Sequence, residues 1–558
     1  MAANAQVSGM AVAIGNGGIC SSGTFIRGFF PSVAAAAPEA PIGNLACFFD
    51  RTLPGSDPVL PELGDSGAVQ PRRFIGMSQI ESISRRRAQI VVVGSGPGGS
   101  ITADLLSEHG KDVLILEEGR DLPLESCPAF GIEEMAQKYR ARGLNPILGK
   151  AKVVFAEGCT VGGGSEINSG LYNRTPPEIL DRWRTDFQLR ESLESDLLPH
   201  FEYCEKALNV GTYPGPTPLV SRKLEEGAHN CGWYVREVPR WFIFDGTTGP
   251  DGCPQGTRQS MTRTFLPRAL RAGVRLLAET RAHRLQRSGS GWTVLAKVHG
   301  QPVEIRTDQV FVCGGAVQTP LLLRRSGITK NIGNSLAVHP TVKAVALFDE
   351  EVNHEKLGVA VHQVKEFSPR MSFGCSISSL PYLGLAMSDY AGYEGEVKSR
   401  WRRMAIYYGM ITGPNTGTVR PVFGLPDPLV RYRLSAEDMR DLATVMRRLT
   451  KMLLAAGART VYPSIVGARP ITGEDQLSTI PGALQPDRAN LMTIHLFSSC
   501  PMGEDQARCA TDSMGRVHGV TNLFINDASL IPTAPGVNPQ GTVMALARRN
   551  TLHFLGQL

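Results

Sequence analysis

A glycine-rich segment at residues 94–99, GSGPGG, constrains the fold of this chain more than any other feature of its sequence. It directly follows an all-apolar run at residues 90–93, which is typical of a central parallel strand buried on both faces. Apolar residues then recur at helical spacing as far as Leu106, and a second apolar run follows at residues 113–116. The sequence therefore predicts a βαβ unit with the glycines at the turn between its first strand and its helix.

This turn matches the pattern G-x-G-x-x-G, in which missing side chains let backbone N–H groups reach a pyrophosphate at the positive end of a helix. The second strand ends at Glu117, 117 − 94 = 23 residues beyond Gly94, where a carboxylate can accept hydrogen bonds from a ribose. Glu118 is the competing, less favoured ribose ligand. The sequence thus predicts dinucleotide binding, but NAD and FAD both use this motif, and it leaves the choice between them open.

Composition limits the partners and the compartment. Lys and Arg number 58 against 52 Asp and Glu, a small surplus that argues against nucleic acid as a partner. No apolar run reaches the ~18 residues needed to cross a bilayer, so no membrane span is expected. The eleven cysteines are scattered without a C-x-x-C pair, which favours reduced thiols in the cytoplasm and indicates neither a disulfide framework nor a metal site. The first 38 residues lack any acidic residue, so export or delivery to an organelle is the alternative.

Further segments resemble the signatures of the glucose-methanol-choline (GMC) oxidoreductases. Residues 158–168, GCTVGGGSEIN, and residues 314–328 are similar to the first and second signatures of that family. Residues 495–503 resemble H-x-x-G-T-C-x-M-G, and residues 522–539 resemble the closing FAD strand and the active-site turn. His339 echoes the family's N-L-x-D-H-P segment and is interpreted as structural. With the βαβ start, the resemblance spans the chain from about residue 88 to the C-terminus.

The resemblance implies FAD as the cofactor. The residues expected to hold it come from the glycine motif, the first signature and the C-terminal segments: Gly94, Ser95, Gly96, Gly98, Gly99, Glu117, Gly162, Gly163, Gly164, Ser165, Asn168, Ala282, Asp527, Ala528, Asn538, Pro539 and Thr542. Some relatives tether FAD through a His at the position that Ile167 occupies here. We therefore expect FAD to be bound without a covalent bond.

The resemblance also implies an α/β fold, with a Rossmann-like FAD-binding domain and an interleaved α+β substrate-binding domain. After a leader and irregular arm at 1–87, the predicted FAD-binding segments and the segments assigned to the substrate domain alternate along the chain. The FAD-binding segments are 88–185, 265–340 and 486–558, and the others are a cap at 186–264 and the substrate-binding domain at 341–485. Within the latter, Ser435 and Asp438 resemble a capping box ahead of a helix that ends at Gly457.

In the resembling family the catalytic pair is a His from the 495–503 motif and a His or Asn from the turn, here His495 and Asn538. Alcohol oxidation removes a hydride from carbon and a proton from oxygen. A neutral imidazole can take the proton, and the Asn amide can donate to the same oxygen as negative charge develops there. The sequence predicts oxidation of a small-molecule alcohol, with O₂ or another molecule as the final electron acceptor.

Two questions stay open at this point. A few GMC relatives carry out non-redox lyase or light-driven decarboxylation chemistry, which is the alternative function. A sugar, an amino sugar, a sterol, an aryl alcohol or another metabolite alcohol could be the substrate. Glu166, inside the first signature, would favour a cationic alcohol if its carboxylate faced the flavin. Sequence does not indicate the oligomeric state.

Overall fold

The computed structural model describes residues 87–358 and 361–558, so the predicted leader and arm lie outside the described residues, apart from Arg87. Its strands, in chain order, are β1 (Arg87–Val93), β2 (Val113–Leu116), β3 (Asn145–Ile147), β4 (Lys152–Phe155), β5 (Val210–Gly211), β6 (Val235–Glu237), β7 (Arg240–Thr248), β8 (Pro254–Arg258), β9 (Arg275–Leu277), β10 (Thr280–Ser288), β11 (Gly291–Val298), β12 (Gln301–Val312), β13 (Ala337–Val338), β14 (Thr341–Leu347), β15 (His362–Val364), β16 (Met371–Cys375), β17 (Met404–Ile411), β18 (Gly417–Arg420), β19 (Leu429–Tyr432), β20 (Thr460–Pro463), β21 (Asn490–Thr493), β22 (Leu496–Phe497) and β23 (Leu523–Ile525).

The α-helices are α1 (Pro97–Glu108), α2 (Ile132–Lys138), α3 (Pro177–Asp186), α4 (Glu194–Ala207), α5 (Leu219–Asn230), α6 (Phe265–Arg271), α7 (Gly315–Arg325), α8 (Leu380–Met387), α9 (Tyr393–Arg400), α10 (Ala436–Ala455) and α11 (Gln540–Phe554). Within the described ranges, none of these helices has the length and apolar character that a membrane crossing requires.

The first sheet contains five parallel strands in the order β9-β2-β1-β12-β23. Numbered along the chain this is the order 3-2-1-4-5, the doubly wound arrangement of dinucleotide-binding folds. Helix α1 connects β1 to β2, so the predicted βαβ unit is confirmed. The β10–β11 hairpin extends the sheet by antiparallel pairing with β12. The strand order reverses between β1 and β12, and ligands of such folds bind outside the carboxyl ends of the strands at that point.

The second sheet has the order β3-β4-β21-β14-β17-β16-β15-β6, with β20 also paired to β14, and most of its pairs are antiparallel. Helix α10 packs across β14 and β17 with its apolar side. The Ser435 hydroxyl accepts a hydrogen bond from the Asp438 backbone N–H at 3.1 Å, and the Asp438 carboxylate accepts one from the Ser435 N–H at 2.8 Å. The predicted capping box is therefore confirmed. Gly457, at φ +84°, lies just beyond the end of the helix, where a left-handed residue commonly follows a helix.

The chain passes between the two sheets several times, which confirms an interleaved α+β domain beside the Rossmann-like domain. The predicted substrate-binding segment 341–485 contributes β14, β15, β16, β17 and β20 to the second sheet. Strands β3 and β4 also join the second sheet, although they fall inside the predicted FAD-binding segment 88–185. Strand β21, inside 486–558, does the same. Strands this short carry no pattern that states which sheet they will pair with.

Candidate active site

A cavity of about 610 Å³ is lined by residues of both sheets and of the loops between them. Gly94 and Glu117 line it at the carboxyl ends of β1 and β2, and His495 and Asn538 line the same cavity near β21 and α11. The structure therefore joins the predicted dinucleotide motif and the predicted catalytic pair in one enclosed space.

Most of the predicted cofactor residues line this cavity: Gly94, Gly96, Gly98, Glu117, Gly163, Gly164, Asn168, Ala282, Asp527, Ala528, Asn538 and Pro539. The others lie behind the lining: Ser95, Gly99, Gly162, Ser165 and Thr542. Several of these brace the wall instead of facing the cavity. The Ser165 hydroxyl donates to the Gly162 carbonyl at 2.7 Å, and the Thr542 hydroxyl lies 2.7 Å from that of Thr175. Their roles in holding a cofactor stay predictions.

The glycines of the two loops differ in what surrounds them. A Cβ added at Gly96 or Gly164 would meet nothing within 4 Å, so the backbone there is open to the cavity. A Cβ at Gly98 would lie 1.9 Å from the Asn526 carbonyl oxygen, and one at Gly163 would lie 2.9 Å from the Gly96 Cα. The first two positions leave room for a ligand at the start of α1, and the other two allow the loops to pack closely. This arrangement fits the pyrophosphate of a dinucleotide.

Hydrogen bonds from Ser95 and Gly119 hold the Glu117 carboxylate in place. Its Oε2 accepts hydrogen bonds from the Ser95 N–H at 2.9 Å and the Ser95 hydroxyl at 2.7 Å, and its Oε1 accepts one from the Gly119 N–H at 2.8 Å. Burial raises the pKa of Glu117. Glu118, the competing acid, instead forms ion pairs with Arg140 at 2.7 Å and with Arg281 at 3.0 Å. Two arginines thus neutralise Glu118, whereas Glu117 faces neutral donors and suits a ribose hydroxyl.

Pairing of two short strands sets the position of His495. Strand β22 pairs antiparallel with β13, which brings His495 beside His339, 156 residues earlier in the chain. The Thr493 hydroxyl accepts a hydrogen bond from the His495 N–H at 3.2 Å. The imidazole of His495 lines the cavity, and its Nδ1 lies 3.0 Å from Nδ1 of His339.

A chain of hydrogen bonds fixes the orientation of the Asn538 amide. The Arg236 guanidinium, which can only donate, donates to Asn173 Oδ1 at 2.6 Å, so Asn173 presents its Nδ2 to Asn538. Asn538 Oδ1 accepts from that Nδ2 at 3.2 Å and from Gln363 Nε2 at 2.9 Å. The Asn538 Nδ2 is therefore left facing His495 Nε2, at 3.4 Å. The pair presents an amide donor and an imidazole nitrogen side by side.

The Lys365 ammonium acts on both histidines of the site. Burial, and then the Lys365 ammonium, lower the pKa of His495 to about 4. Burial also lowers the pKa of His339, with His495 and Lys365 as smaller causes. Burial, followed by Arg236, lowers the pKa of Lys365 itself to about 7, and the Lys365 ammonium donates to the Ser372 hydroxyl at 3.2 Å. The imidazole of His495 therefore stays neutral, and able to accept a proton, throughout the physiological range.

Glu166 does not face the cavity. It is fully buried and its Oε1 accepts a hydrogen bond from the Thr262 hydroxyl at 3.1 Å. Arg258 donates to the backbone carbonyls of Glu166 and Asn168 and so clamps the loop from behind. The idea of a cationic alcohol attracted by Glu166 consequently has no support in the structure.

Sequence reasoning missed several residues of this site. His339, for which the sequence predicts a structural role, contacts His495 directly. Asn173, Arg236, Gln363 and Lys365 belong to none of the family motifs. Arg236 and Gln363 lie opposite each other where β6 pairs with β15, and Lys365 directly follows β15. No local pattern marks these positions, because Arg236 and Gln363 lie in strands of three residues and Lys365 lies just outside one.

Comparisons with known proteins agree with this geometry. The N-terminal and C-terminal family profiles of GMC oxidoreductase match residues 20–341 and 416–547. An uncharacterized GMC-type oxidoreductase of Sinorhizobium fredii is 40% identical, over 85% of this chain and 96% of its own. A long-chain-alcohol oxidase of Arabidopsis thaliana is 26% identical, over 92% of this chain and 79% of its own. The crystal structure of pyridoxine 4-oxidase from Mesorbium loti is similar with a TM-score of 0.64 at 20% identity, over 84% of this chain and 99% of its own.

The fold and the site define a flavoprotein-type oxidoreductase, and the chain belongs to the GMC oxidoreductase family. Members of this family depend on FAD, which agrees with the open backbone at Gly96 and Gly164 and with the place of Glu117 in the cavity lining.

Proposed function

We propose that this protein oxidises an alcohol CH–OH group to an aldehyde or ketone with non-covalently bound FAD. The observation that carries the proposal is the single cavity that joins the G-x-G-x-x-G turn to His495 and Asn538. One end offers a pyrophosphate cradle, and the other offers a proton acceptor beside a hydrogen-bond donor. An alcohol oxidase among the relatives supports the same chemistry.

His495 and Asn538 would divide the work on the alcohol oxygen. The Nε2 of neutral His495 accepts the hydroxyl proton, and the Asn538 amide donates a hydrogen bond to the oxygen as negative charge develops there. FAD, when bound, supplies the acceptor for the hydride that leaves the carbinol carbon. Gln363 and Asn173 keep the Asn538 donor aimed at this oxygen by occupying its Oδ1.

The cofactor would be held by the residues that line the cavity between Gly94 and Pro539. Gly96 and Gly164 leave space for the pyrophosphate, and Glu117 suits the ribose. Ile167 lines the cavity at the position where some relatives carry a tethering His, and its side chain cannot form such a bond. Acid precipitation of the purified protein should therefore release all of its FAD into the supernatant.

The test of the proposed function is anaerobic bleaching of the bound flavin by a panel of alcohols. Bleaching by at least one alcohol, followed by recovery of colour with O₂ or with an artificial acceptor, is the expected result. An FAD-bound protein that no alcohol bleaches would overturn the proposal and leave a non-redox or photochemical use of FAD. Recovery in air, compared with recovery by a quinone or dye, would identify the type of electron acceptor.

A further inference from the structure

Strand β14 directs a lysine into the cavity. Residues alternate along this strand, so Thr341 and Lys343 line the cavity while Val342 and Ala344 are buried in the core behind it. Lys343 lies opposite Tyr408 of β17, which lines the cavity too. Its backbone N–H donates to the Ser464 hydroxyl at 3.0 Å, which leaves the side chain as the part of the residue that faces the cavity. The lysine thus lines the same cavity as His495 and Asn538.

The Lys343 ammonium has no counter-charge within the described residues. Burial alone lowers its pKa to about 8, and no charged neighbour contributes. The acidic residues that line the cavity are bound elsewhere: Glu117 to Ser95 and Gly119, Glu118 and Glu157 to Arg140, and Asp527 to Gly315. Buried charges in proteins are normally paired, because an unpaired charge away from water is costly. This exception calls for a partner that the protein chain does not supply.

The cavity between the lysine and the catalytic pair has an apolar wall. Met410 and Met492 flank Thr341 on the neighbouring strands and line the cavity, as do Leu385 and Ile494. Ile494 exposes 52% of its surface and Leu385 exposes 40%, although both are apolar. Apolar side chains that face an enclosed space favour an apolar ligand body.

Hydrogen bonds relate the neighbourhood of Lys343 to the catalytic pair. Tyr408, opposite Lys343, accepts from Gln363 Nε2 at 2.8 Å, and the same nitrogen donates to Asn538 Oδ1 at 2.9 Å. A ligand whose hydroxyl lies at His495 can therefore place a second polar group at Lys343.

We propose that Lys343 binds a carboxylate of the alcohol, so that the substrate is an apolar hydroxy acid. A single ammonium in a cavity whose lining carboxylates are all bound elsewhere suits a monoanion. The inference rests on the proposed alcohol oxidation for its hydroxyl end, whereas the carboxylate end rests on the cavity and the unpaired lysine.

The first experiment measures binding without turnover. Calorimetry measures the binding of octanoate, which has no hydroxyl to oxidise. The proteins compared, all loaded with FAD, are wild type, Lys343→Met, Lys343→Arg and the exposed control Lys398→Met. Lys343→Met should weaken octanoate by at least about tenfold, because it removes the cation and keeps the length of the side chain. Lys343→Arg should retain much of the affinity, and Lys398→Met should match wild type. Equal affinity in wild type and Lys343→Met, or no binding to wild type, would overturn the inference.

The second experiment compares anaerobic flavin reduction by 8-hydroxyoctanoate and by 1-octanol. Wild type should favour the hydroxy acid, and Lys343→Met should lose this preference by weaker binding of the acid, with reduction by 1-octanol retained. An equal loss with both alcohols would overturn the inference, because it would mean that Lys343 serves the cofactor. If neither alcohol nor any other bleaches wild type, the proposed function fails, and octanoate binding still decides the role of Lys343.

Discussion

His339 and His495 face each other through their Nδ1 atoms, 3.0 Å apart, so only one of the two rings can carry a proton on that nitrogen. Asn538 Nδ2, which can only donate, lies 3.4 Å from Nε2 of His495 and favours the base-ready state, in which His495 donates from Nδ1 and His339 accepts. The Gly536 N–H donates to Nε2 of His339 at 3.2 Å and favours the opposite tautomer, which would place the proton of His495 on Nε2. His339 is thus placed to set the tautomer of His495.

Substitution of His339 tests this coupling. His339→Ala removes the group that receives the His495 Nδ1 proton, and we expect flavin reduction to slow by about tenfold or more while the dissociation constant of the alcohol changes little. His339→Asn places an amide near the position of Nδ1 and should recover part of the rate. Stopped-flow reduction at several alcohol concentrations separates the rate from binding. An unchanged rate in His339→Ala at every pH would show that the ring has no such role.

The pH dependence of flavin reduction should reflect the buried position of His495. Since its pKa is lowered to about 4, the reduction rate should stay level down to about pH 5 and fall as the pH passes through about 4, where Nε2 becomes protonated. Lys365→Met removes a nearby positive charge that disfavours the imidazolium, so the pKa of His495 should rise and the acid limb should move to higher pH. Lys398→Met is the charge-matched control and should leave the profile in place. A wild-type profile centred near the ordinary His value would contradict this environment.

Two glycines of the dinucleotide turn should respond differently to alanine. Gly96→Ala adds a methyl group to open cavity, so the protein should fold but bind FAD more weakly. Gly98→Ala forces a Cβ against the Asn526 carbonyl and should destabilise the fold itself. The measurements are the apo-protein melting temperature and the FAD dissociation constant of each variant. Full FAD affinity in a folded Gly96→Ala protein would mean that the pyrophosphate does not pass this residue.

The unpaired Lys343 should reduce the stability of the ligand-free protein. Its pKa falls from an unfolded value near 10.5 to about 8 on folding, so the penalty is complete below pH 8 and disappears as the pH rises through 10.5. Lys343→Met should therefore stabilise the protein at neutral pH by about 2 kcal/mol, and this gain should shrink in alkaline solution. Thermal or denaturant unfolding at pH 7 and near pH 10 measures the difference. A less stable Lys343→Met protein at pH 7 would show that the ammonium has a partner.

Local sequence patterns predicted the βαβ unit and the family segments, but they did not predict contacts between segments that are distant in the chain. The glycine turn, β2, the capping box at Ser435 and the family segments all reside in short stretches of sequence. The partners of the catalytic pair do not. His339 meets His495 across 156 residues through two two-residue strands. Gln363 lies in, and Lys365 directly after, a short strand whose sheet could not be assigned from its sequence. The position of Lys343 could not be predicted for a similar reason, because only the pairing of β14 shows that its side chain lies on the cavity face of the sheet.

The rate of anaerobic flavin bleaching in wild type and in His495→Ala tests the central claim most directly. Both proteins are loaded with FAD, their cofactor content is compared, and each is mixed with the alcohol that bleaches wild type fastest. We predict equal FAD content and a rate that falls on the order of 10²-fold or more in His495→Ala. Equal bleaching in the two proteins would contradict the account, because another group would then be accepting the proton.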